Sequence, residues 1–432
     1  MARIVFIGAG DVDLMRRVVS DLFLASPLRG RLEIVLHDPD PGRLATAEAL
    51  ARTLDAEAGA RAVISACADR RRALDGAAFV VSHVDLGGFE ATLRDFEIPH
   101  RYGLRQTIGD TIGIGGIFRG LRTIPYFVDL GREMAGLCPE AWLLSCSDPM
   151  AMTGWAVLEA TGFERFAGVC HAVCDTHAYL ADLVGRELDE VSFLTAGLNH
   201  QSFVLRFEAA GRSLYPELDA VLAADAELGR HVRMEMYRRF GYFPTQSSEH
   251  AAEYVPWFMR HTAETARLGV PMEEHLRRLG QSMHVYEETR RALSAGRPLL
   301  VRWQHQEPAA AAILAVLTGQ EKEVYVNVRN RGLIGNLPDG CCVEVPATAN
   351  ATGIRPRPVG ELPIQLVALN RTFLNVVELT VRAVLDGDRR HVYHAAMLDP
   401  NTAATLPLPD IEAMCDELIK AHGDLLPEAI RA

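Results

Sequence analysis

The sequence predicts an α/β fold built on a doubly wound parallel sheet, and two observations in its first third support this. The first is a regular alternation of short β-rich runs with helical patterns. The β-rich runs cover residues 4–7, 33–36, 79–82 and 142–145, and helical patterns cover residues 13–24 and 41–54. The second is a glycine-containing turn directly after the first run. Alternation of this kind is typical of a parallel sheet covered by helices.

A second domain is predicted from about residue 191, where longer helical patterns with a few strands replace the alternation. Strand patterns occur at residues 323–328 and 342–345, and helical patterns at residues 363–385 and 410–422. We therefore expect a Rossmann-type domain over residues 1–190 and an α+β domain over residues 191–432.

Composition excludes several classes of partner. The chain carries 44 Lys and Arg against 56 Asp and Glu, so it has no basic surplus for a nucleic acid or an anionic membrane. No apolar run approaches the roughly 20 residues that span a bilayer. The first residues lack the pattern of a secretory signal, and the eight cysteines are scattered rather than set out as a disulfide framework. We expect a cytoplasmic protein with reduced thiols.

The glycine turn indicates a dinucleotide site. Gly8 and Gly10 follow the first β-rich run and precede a helical pattern, where glycines let the backbone approach a pyrophosphate. The fingerprint is incomplete, because Asp13 occupies the third glycine position. Asp11 also brings a carboxylate close to the expected phosphates, which is unfavourable unless the side chain turns away. We predict that Gly8, Gly10 and Asp11 form part of an NAD site.

Asp38 favours NAD over NADP. It closes the second β-rich run, from which an acidic side chain accepts hydrogen bonds from the adenosine ribose and repels a 2′-phosphate. The alternative is that the glycines only form a tight turn and that Asp38 caps the next helix.

Four blocks of the chain resemble the family 4 glycoside hydrolases in order and spacing. The blocks cover residues 103–125, 168–173, 195–202 and 241–258. The last block is most similar to the α-galactosidase and α-glucosidase branch, which takes sugars without a 6-phosphate. The resemblance implies the fold of lactate and malate dehydrogenases, with NAD on the first domain and substrate, metal and oligomerisation surfaces on the second.

The resemblance also implies an unusual reaction. In this family NAD⁺ oxidises carbon 3 of the sugar, a base removes the C2 proton, the C1 leaving group is eliminated, water adds and the ketone is reduced again. A divalent metal beside the C2 and C3 oxygens polarises the ketone. The chain is therefore expected to be an NAD- and Mn²⁺-dependent glycosidase. An α-galactoside is the first expectation for its substrate, with an α-glucoside, α-glucuronide or α-galacturonide as alternatives.

The resemblance places the metal on Cys170 and His200. Ligand softness alone suggests zinc, iron, cobalt or nickel for a thiolate with an imidazole, whereas the family implies Mn²⁺. Without the resemblance, the preferred interpretation is that Cys170 is a small buried apolar residue and His200 a core histidine.

The resemblance makes Tyr254 the best candidate for the base that removes the C2 proton. A phenol is a weak base near neutrality, so it needs a nearby cation to stabilise its phenolate. Tyr242 is a competing tyrosine, and Glu249 and Glu253 are carboxylate alternatives. An aromatic lining of the core explains Tyr254 equally well.

Other candidates would hold the sugar. Asp110 is expected to protonate the leaving group or to bind the sugar hydroxyls. Arg119 and Arg122 lie three residues apart on a predicted helix and could face the sugar or be surface cations. By resemblance, His171 helps to orient the substrate or the metal site. Ala172 replaces a common Ser at a position that tracks substrate preference.

Asp148 is a second departure, because the family generally has Asn at this place before a proline. An amide offers a donor and an acceptor, whereas an ionised Asp offers acceptors only. Asp148 could change which sugar is held, add an acidic ligand near the metal, or damage activity.

Two other functions stay open. A 2-hydroxy acid dehydrogenase would release NADH during turnover, whereas the glycosidase would not, and a non-catalytic NAD sensor would show no metal dependence.

The apolar C-terminal helices suit either a core or the interface of a homodimer or homotetramer.

Overall fold

The computed structural model describes residues 1–299 and 307–432, and thirteen strands within them form one mixed sheet. The strands are β1 (Ala2–Ile7), β2 (Leu32–His37), β3 (Val63–Ala66), β4 (Phe79–Ser82), β5 (Trp142–Ser145), β6 (Phe166–Gly168), β7 (Ser192–Leu198), β8 (Gln201–Ala209), β9 (Arg212–Ser213), β10 (Phe243–Pro244), β11 (Lys322–Arg329), β12 (Cys342–Asn350) and β13 (Gly353–Pro356).

The six N-terminal strands form the parallel half of the sheet, in the order β3-β2-β1-β4-β5-β6. The chain moves outward from β1 to β3 and then returns to β4 on the other side of β1. The strand order therefore reverses between β1 and β4. Open α/β sheets bind ligands at such a switch point, beside the carboxyl ends of the strands.

The other half of the sheet is antiparallel and joins the parallel half at β6. Strand β11 pairs with β6, and the sheet continues through β12, β7, β8 and β10. Strand β13 pairs with β12 and β9 with β8. The two halves of the sequence thus share one sheet.

Helices pack against both the parallel and the antiparallel strands of this sheet. They are α1 (Val12–Leu24), α2 (Pro41–Ala58), α3 (Arg70–Leu74), α4 (Gly88–Arg101), α5 (Gly113–Leu137), α6 (Met150–Ala160), α7 (Ala172–Leu183), α8 (Tyr215–Ala224), α9 (Val232–Phe240), α10 (Ser248–Glu253), α11 (Thr262–Arg267), α12 (Glu274–Ser294), α13 (Pro308–Thr318), α14 (Ile364–Leu385), α15 (Arg390–Leu398), α16 (Pro400–Thr405), α17 (Leu408–His422) and α18 (Glu428–Arg431).

Capping residues fix the first two helices. The Asp11 carboxylate accepts hydrogen bonds from two amides in the first turn of α1, and Asp40 does the same for α2. Pro41 opens α2, where its missing N–H costs nothing. The left-handed conformation of Gly59, with φ +60°, ends that helix.

The central strand β1 is buried on both faces, as a doubly wound sheet requires. Ile4 and Phe6 belong to one apolar cluster, and Val5 and Ile7 belong to another on the opposite side of β1. In the part of the chain that the structure describes, no helix combines the length and the apolar character needed to cross a lipid bilayer.

The strands and helices predicted from the sequence are confirmed in place. The four N-terminal β-rich runs correspond to β1, β2, β4 and β5, and the two later strand patterns to β11 and β12. The helical patterns at residues 363–385 and 410–422 correspond to α14 and α17. Strands β3 and β6 were not predicted, because β3 is a partly exposed edge strand without a continuous apolar run and β6 has only three residues.

Candidate functional site

The candidate site lies at the carboxyl ends of β4, β5 and β6, beside the glycine turn that follows β1. Cys170 stands two residues after β6, and Asp148 stands between β5 and α6. The amide of Val84 donates a 2.8 Å hydrogen bond to Ser147 Oγ, so the loops after β4 and β5 are joined. The site therefore occupies the crevice where the sheet topology predicts a ligand.

Cys170 and His200 come together across this crevice, although thirty positions separate them. His200 lies in the two-residue turn between β7 and β8, in the left-handed conformation with φ +66°. Its Nε2 lies 3.4 Å from Cys170 Sγ. The structure thus brings together the two side chains that the sequence analysis assigned to a metal.

Thr111 fixes the tautomer of His200. The Thr111 hydroxyl donates to Asp110 Oδ1 at 2.6 Å and lies 2.8 Å from His200 Nδ1. Because a hydroxyl has one hydrogen, it must accept the second hydrogen bond from a protonated Nδ1. His200 Nε2 therefore carries a free lone pair and faces Cys170, which is the arrangement of a metal ligand.

Asp110 is surrounded by imidazoles that sequence reasoning did not assign. His250 Nε2 lies 3.6 Å from its Oδ1, and His275 Nδ1 lies 3.9 Å from its Oδ2. Burial opposes ionisation, but His250, His275 and His200 hold the pKa of Asp110 well below its ordinary value. The carboxylate is thus an acceptor in the resting site.

These residues fit a divalent cation. Ligand atoms of Asp110, His200 and His250 all lie within 4.8 Å of one another. Asp148 Oδ1 lies 3.8 Å from His200 Nε2, and it is buried without a hydrogen bond among the described residues. Burial raises the pKa of the Asp148 carboxyl and of the Cys170 thiol. A bound cation would stabilise the ionised form of both groups.

Tyr254 lies against this cluster at the end of α10. Its ring centroid is 6.3 Å from that of His250, which is 4.8 Å from that of His200. Its buried hydroxyl has no hydrogen-bond partner in the described residues. Burial raises the pKa of Tyr254 well above its ordinary value. A free, buried phenol beside a possible cation site suits a base that becomes active only when the cation is present.

Glu253 anchors the loop that carries Asp110. Both carboxylate oxygens accept hydrogen bonds from three successive amides, of Thr107 (2.6 Å), Ile108 (3.1 Å) and Gly109 (2.9 Å). Burial raises the pKa of Glu253 to about 8, although these amides lower it. With every oxygen occupied, Glu253 joins Tyr254 to the Asp110 loop and is poorly placed to remove a substrate proton.

His171 is held by a charged pair that the sequence analysis did not include. Its Nε2 lies 2.6 Å from Glu307 Oε2, and Arg17 Nε lies 3.1 Å from Glu307 Oε1. Glu307 is buried. Glu307 is distant in sequence from His171 and Arg17 and directly precedes α13, so no local sequence pattern identifies it.

The glycine turn has the close packing that the sequence suggested. A Cβ on Gly8 would lie 2.0 Å from His83 O, and one on Gly10 would lie 2.5 Å from Asp38 Oδ2. Both oxygens of Asp38 accept backbone amides, from Gly10 and Asp40, each at 2.9 Å. Only glycine lets the backbone approach the end of β2 so closely.

The Asp11 side chain caps the N-terminus of α1. Its Oδ1 accepts two amides in the first turn of α1, and its Oδ2 lies 2.8 Å from His83 Nδ1. Burial opposes ionisation of Asp11, but His83 holds its pKa below the ordinary value, and the Asp11 charge raises the pKa of His83. The imidazole thus offsets the carboxylate near the expected phosphates.

Arg119 points into the site but is already paired. Its Nη2 lies 3.2 Å from Asp85 Oδ1, and its Nε donates to the main-chain oxygen of Asp148 at 3.1 Å. Arg122, which the sequence left as a possible sugar contact, is buried in a separate pair with Asp95 at 2.7 Å.

Comparison with known proteins gives two consecutive family matches. Residues 3–186 match the model of the family 4 glycosyl hydrolases, and residues 195–402 match that of the family 4 glycosyl hydrolase C-terminal domain. An α-galactosidase of Bacillus subtilis (strain 168) is 39% identical over 433 residues, covering 99% of this chain and 100% of the relative. An α-galactosidase of Rhizobium meliloti (strain 1021) is 30% identical, covering 100% of this chain and 90% of the relative.

Solved structures confirm the predicted fold class. The lplD protein of Bacillus subtilis superposes with a TM-score of 0.88 at 23% identity, covering 97% of this chain and 99% of that one. A 6-phospho-α-glucosidase from gut microorganisms, solved with NAD and Mn²⁺, gives 0.84 at 19% identity and 99% coverage of both chains. Malate dehydrogenase of Plasmodium falciparum gives 0.53 at 14% identity, covering 89% of this chain and 99% of that one.

Proposed function

Because the chain belongs to the family 4 glycosyl hydrolases, we propose that it hydrolyses α-galactosides with NAD⁺ and a divalent cation. Mn²⁺ is the first expectation for that cation. The relatives of 39% and 30% identity over nearly the whole chain are α-galactosidases, which supports the choice of sugar. A structural neighbour that contains NAD and Mn²⁺ supports the choice of cofactors.

One observation carries the proposal: Cys170 Sγ and His200 Nε2 converge to 3.4 Å beside the dinucleotide turn. Cys170 and His200 would hold the cation, and Gly8, Gly10 and Asp38 would accommodate the dinucleotide. When bound, NAD⁺ supplies a hydride acceptor for carbon 3 of the sugar, and the cation supplies positive charge that makes the C2 proton acidic.

Side chains of the protein perform the proton transfers. Tyr254 is the proposed base for the C2 proton, because its hydroxyl is buried, free of hydrogen bonds in the described residues, and close to His250. Asp110 is the proposed contact for a sugar hydroxyl or for the leaving group. Thr111 holds His200 Nδ1 protonated, and Glu253 holds the Asp110 loop against Tyr254.

The charges around the site favour an uncharged hexose. Asp110 and Asp148 would repel a carboxylate or phosphate on the sugar. Arg119, the cation that could have bound a uronic acid, is paired with Asp85. This pairing makes the α-glucuronide and α-galacturonide alternatives less favourable than the α-galactoside.

A panel of p-nitrophenyl glycosides tests the proposal. The full chain would be assayed with NAD⁺, Mn²⁺ and a thiol reductant, on α-galactoside, α-glucoside, α-glucuronide and α-galacturonide. We expect hydrolysis of the α-galactoside to be fastest and to stop when NAD⁺ is omitted or the metal is chelated. The reductant prevents oxidation of the Cys170 thiolate, which would remove a metal ligand.

Cys170→Ser is the matched variant, because it replaces only the sulfur. It is expected to abolish the metal-dependent activity. Faster cleavage of another sugar would change the proposed substrate, and α-galactoside hydrolysis that needs neither NAD⁺ nor metal would exclude the proposed reaction.

A further inference from the structure

Asp148 places a carboxylate where the resembling family generally has an amide, and no Lys or Arg of the described residues forms an ion pair with it. The side chain stands between β5 and α6, with Oδ1 buried and without a hydrogen bond among the described residues. An ionised carboxylate in such a position is costly unless a positive charge lies next to it.

The nearby basic groups are engaged elsewhere. Arg119 gives its Nη2 to Asp85 and its Nε to the main-chain oxygen of Asp148, not to the Asp148 carboxylate. His250 Nε2 faces Asp110 at 3.6 Å. In the described ranges, no Lys or Arg nitrogen lies within 4.0 Å of the Asp148 carboxylate. The basic side chain within that distance is His200.

The nitrogen that faces Asp148 is also the one that faces Cys170. His200 Nε2 lies 3.8 Å from Asp148 Oδ1 and 3.4 Å from Cys170 Sγ. The lone pair of Nε2 is free, because Nδ1 carries the ring proton and donates a hydrogen bond to Thr111. Two ligands of one ion, each about 2.0–2.3 Å from it, lie at most about 4.6 Å apart. Both measured separations are within that limit.

We propose that Asp148 is a third protein ligand of the divalent cation, completing a Cys170, His200 and Asp148 site in this chain. The inference rests on the proposed function, since the same cation serves both. It also removes the conflict between ligand softness and the expected Mn²⁺. A thiolate and an imidazole alone favour softer metals, whereas a carboxylate oxygen suits Mn²⁺.

Metal binding to the full chain tests this without reference to activity. Mn²⁺ affinity would be measured by electron paramagnetic resonance of the free ion, and Zn²⁺ affinity by competition. Asp148→Asn is expected to weaken Mn²⁺ binding by about 10- to 100-fold and Zn²⁺ binding by less. Cys170→Ser is expected to do the reverse, with the larger loss for Zn²⁺.

Asp85→Asn is the matched control, because it removes the same charge from the partner of Arg119 without removing an atom that faces His200. It is expected to change both affinities equally or not at all. Circular dichroism verifies that each variant is folded. If Asp148→Asn does not fold, the ¹³C hyperfine coupling of the Mn²⁺ complex is measured instead, in the unaltered protein with ¹³C-labelled aspartate. A carboxylate bound to the ion gives such a coupling. If Asp148 is the ligand, the coupling persists in Asp110→Asn.

The outcomes separate the two proposals. Unchanged Mn²⁺ affinity in Asp148→Asn, or equal losses for both metals, overturns the third ligand and leaves the Cys170 and His200 site intact. Unchanged binding of both metals in Cys170→Ser overturns the metal site of the proposed function. A selective Mn²⁺ loss in Asp148→Asn would in that case show a carboxylate ligand without Cys170, which overturns the proposed three-ligand site.

Discussion

At the scale of single residues, the chemistry of His200 depends on one hydroxyl group. Asp110 accepts a hydrogen bond from the Thr111 hydroxyl, so the Thr111 oxygen must accept a hydrogen bond from His200 Nδ1–H. This leaves the lone pair on Nε2, beside Cys170 and Asp148. Partners of this kind tune the affinity of metal ligands even though they do not touch the metal.

Thr111→Val is expected to lower Mn²⁺ affinity and kcat/KM by about 10- to 100-fold, because His200 then has no fixed tautomer. Thr111→Ser is the control, since it retains the hydroxyl and should stay within about threefold of the unaltered protein. Metal titration and steady-state kinetics measure the two effects. Equal losses in both variants would show that the methyl group, not the hydroxyl, matters.

At the scale of elements, helix α7 follows the loop that carries Cys170, and it packs against β7 through the buried side chain of His177. His177 Nε2 lies 2.7 Å from Thr195 Oγ1 on β7, and its ring stacks on Phe193 with centroids 4.0 Å apart. Burial lowers the pKa of His177 to about 3. Protonation of this ring is therefore unfavourable in the folded chain, where α7 packs on the hairpin that presents His200.

The sign of the pH effect follows from this shift. The unfolded chain binds a proton at His177 near pH 6.5 and the folded chain only near pH 3, so stability is retained above pH 6.5 and lost as pH falls. Between pH 6.5 and pH 4 the loss is about 3 kcal/mol. His177→Gln retains a hydrogen bond to Thr195 without the charge. Urea unfolding should show a smaller decrease across this range in the variant, and equal decreases would exclude His177 as the source.

At the scale of the whole molecule, the two halves of the sequence contribute to one site on one sheet. Cys170 follows the last parallel strand, and His200 lies in the first hairpin of the antiparallel half. Glu253 and Tyr254 come from a short helix later in the chain. The crevice exists only when all of these segments are folded together.

The sequence predicted the regular elements and the convergence of Cys170 and His200, but not the contacts that support them. Short continuous β-rich runs identified β1, β2, β4 and β5, because strands that are buried on both faces are apolar at nearly every position. The resemblance, rather than any local pattern, identified Cys170 and His200. His250, His275 and Glu307 have distant partners, and the pairing of Arg119 with Asp85 depends on tertiary geometry, so no local signal predicted them.

Hydrolysis of the α-galactoside in D₂O, followed by NMR of the released sugar, distinguishes the proposed elimination from a direct displacement at carbon 1. Removal of the C2 proton by Tyr254 requires that solvent deuterium appear at carbon 2, while no net NADH accumulates because the hydride returns to the sugar. A released sugar with deuterium at carbon 2 is the result we predict. Hydrolysis at the same rate without deuterium at carbon 2 would exclude the elimination, because a direct displacement would then explain the activity.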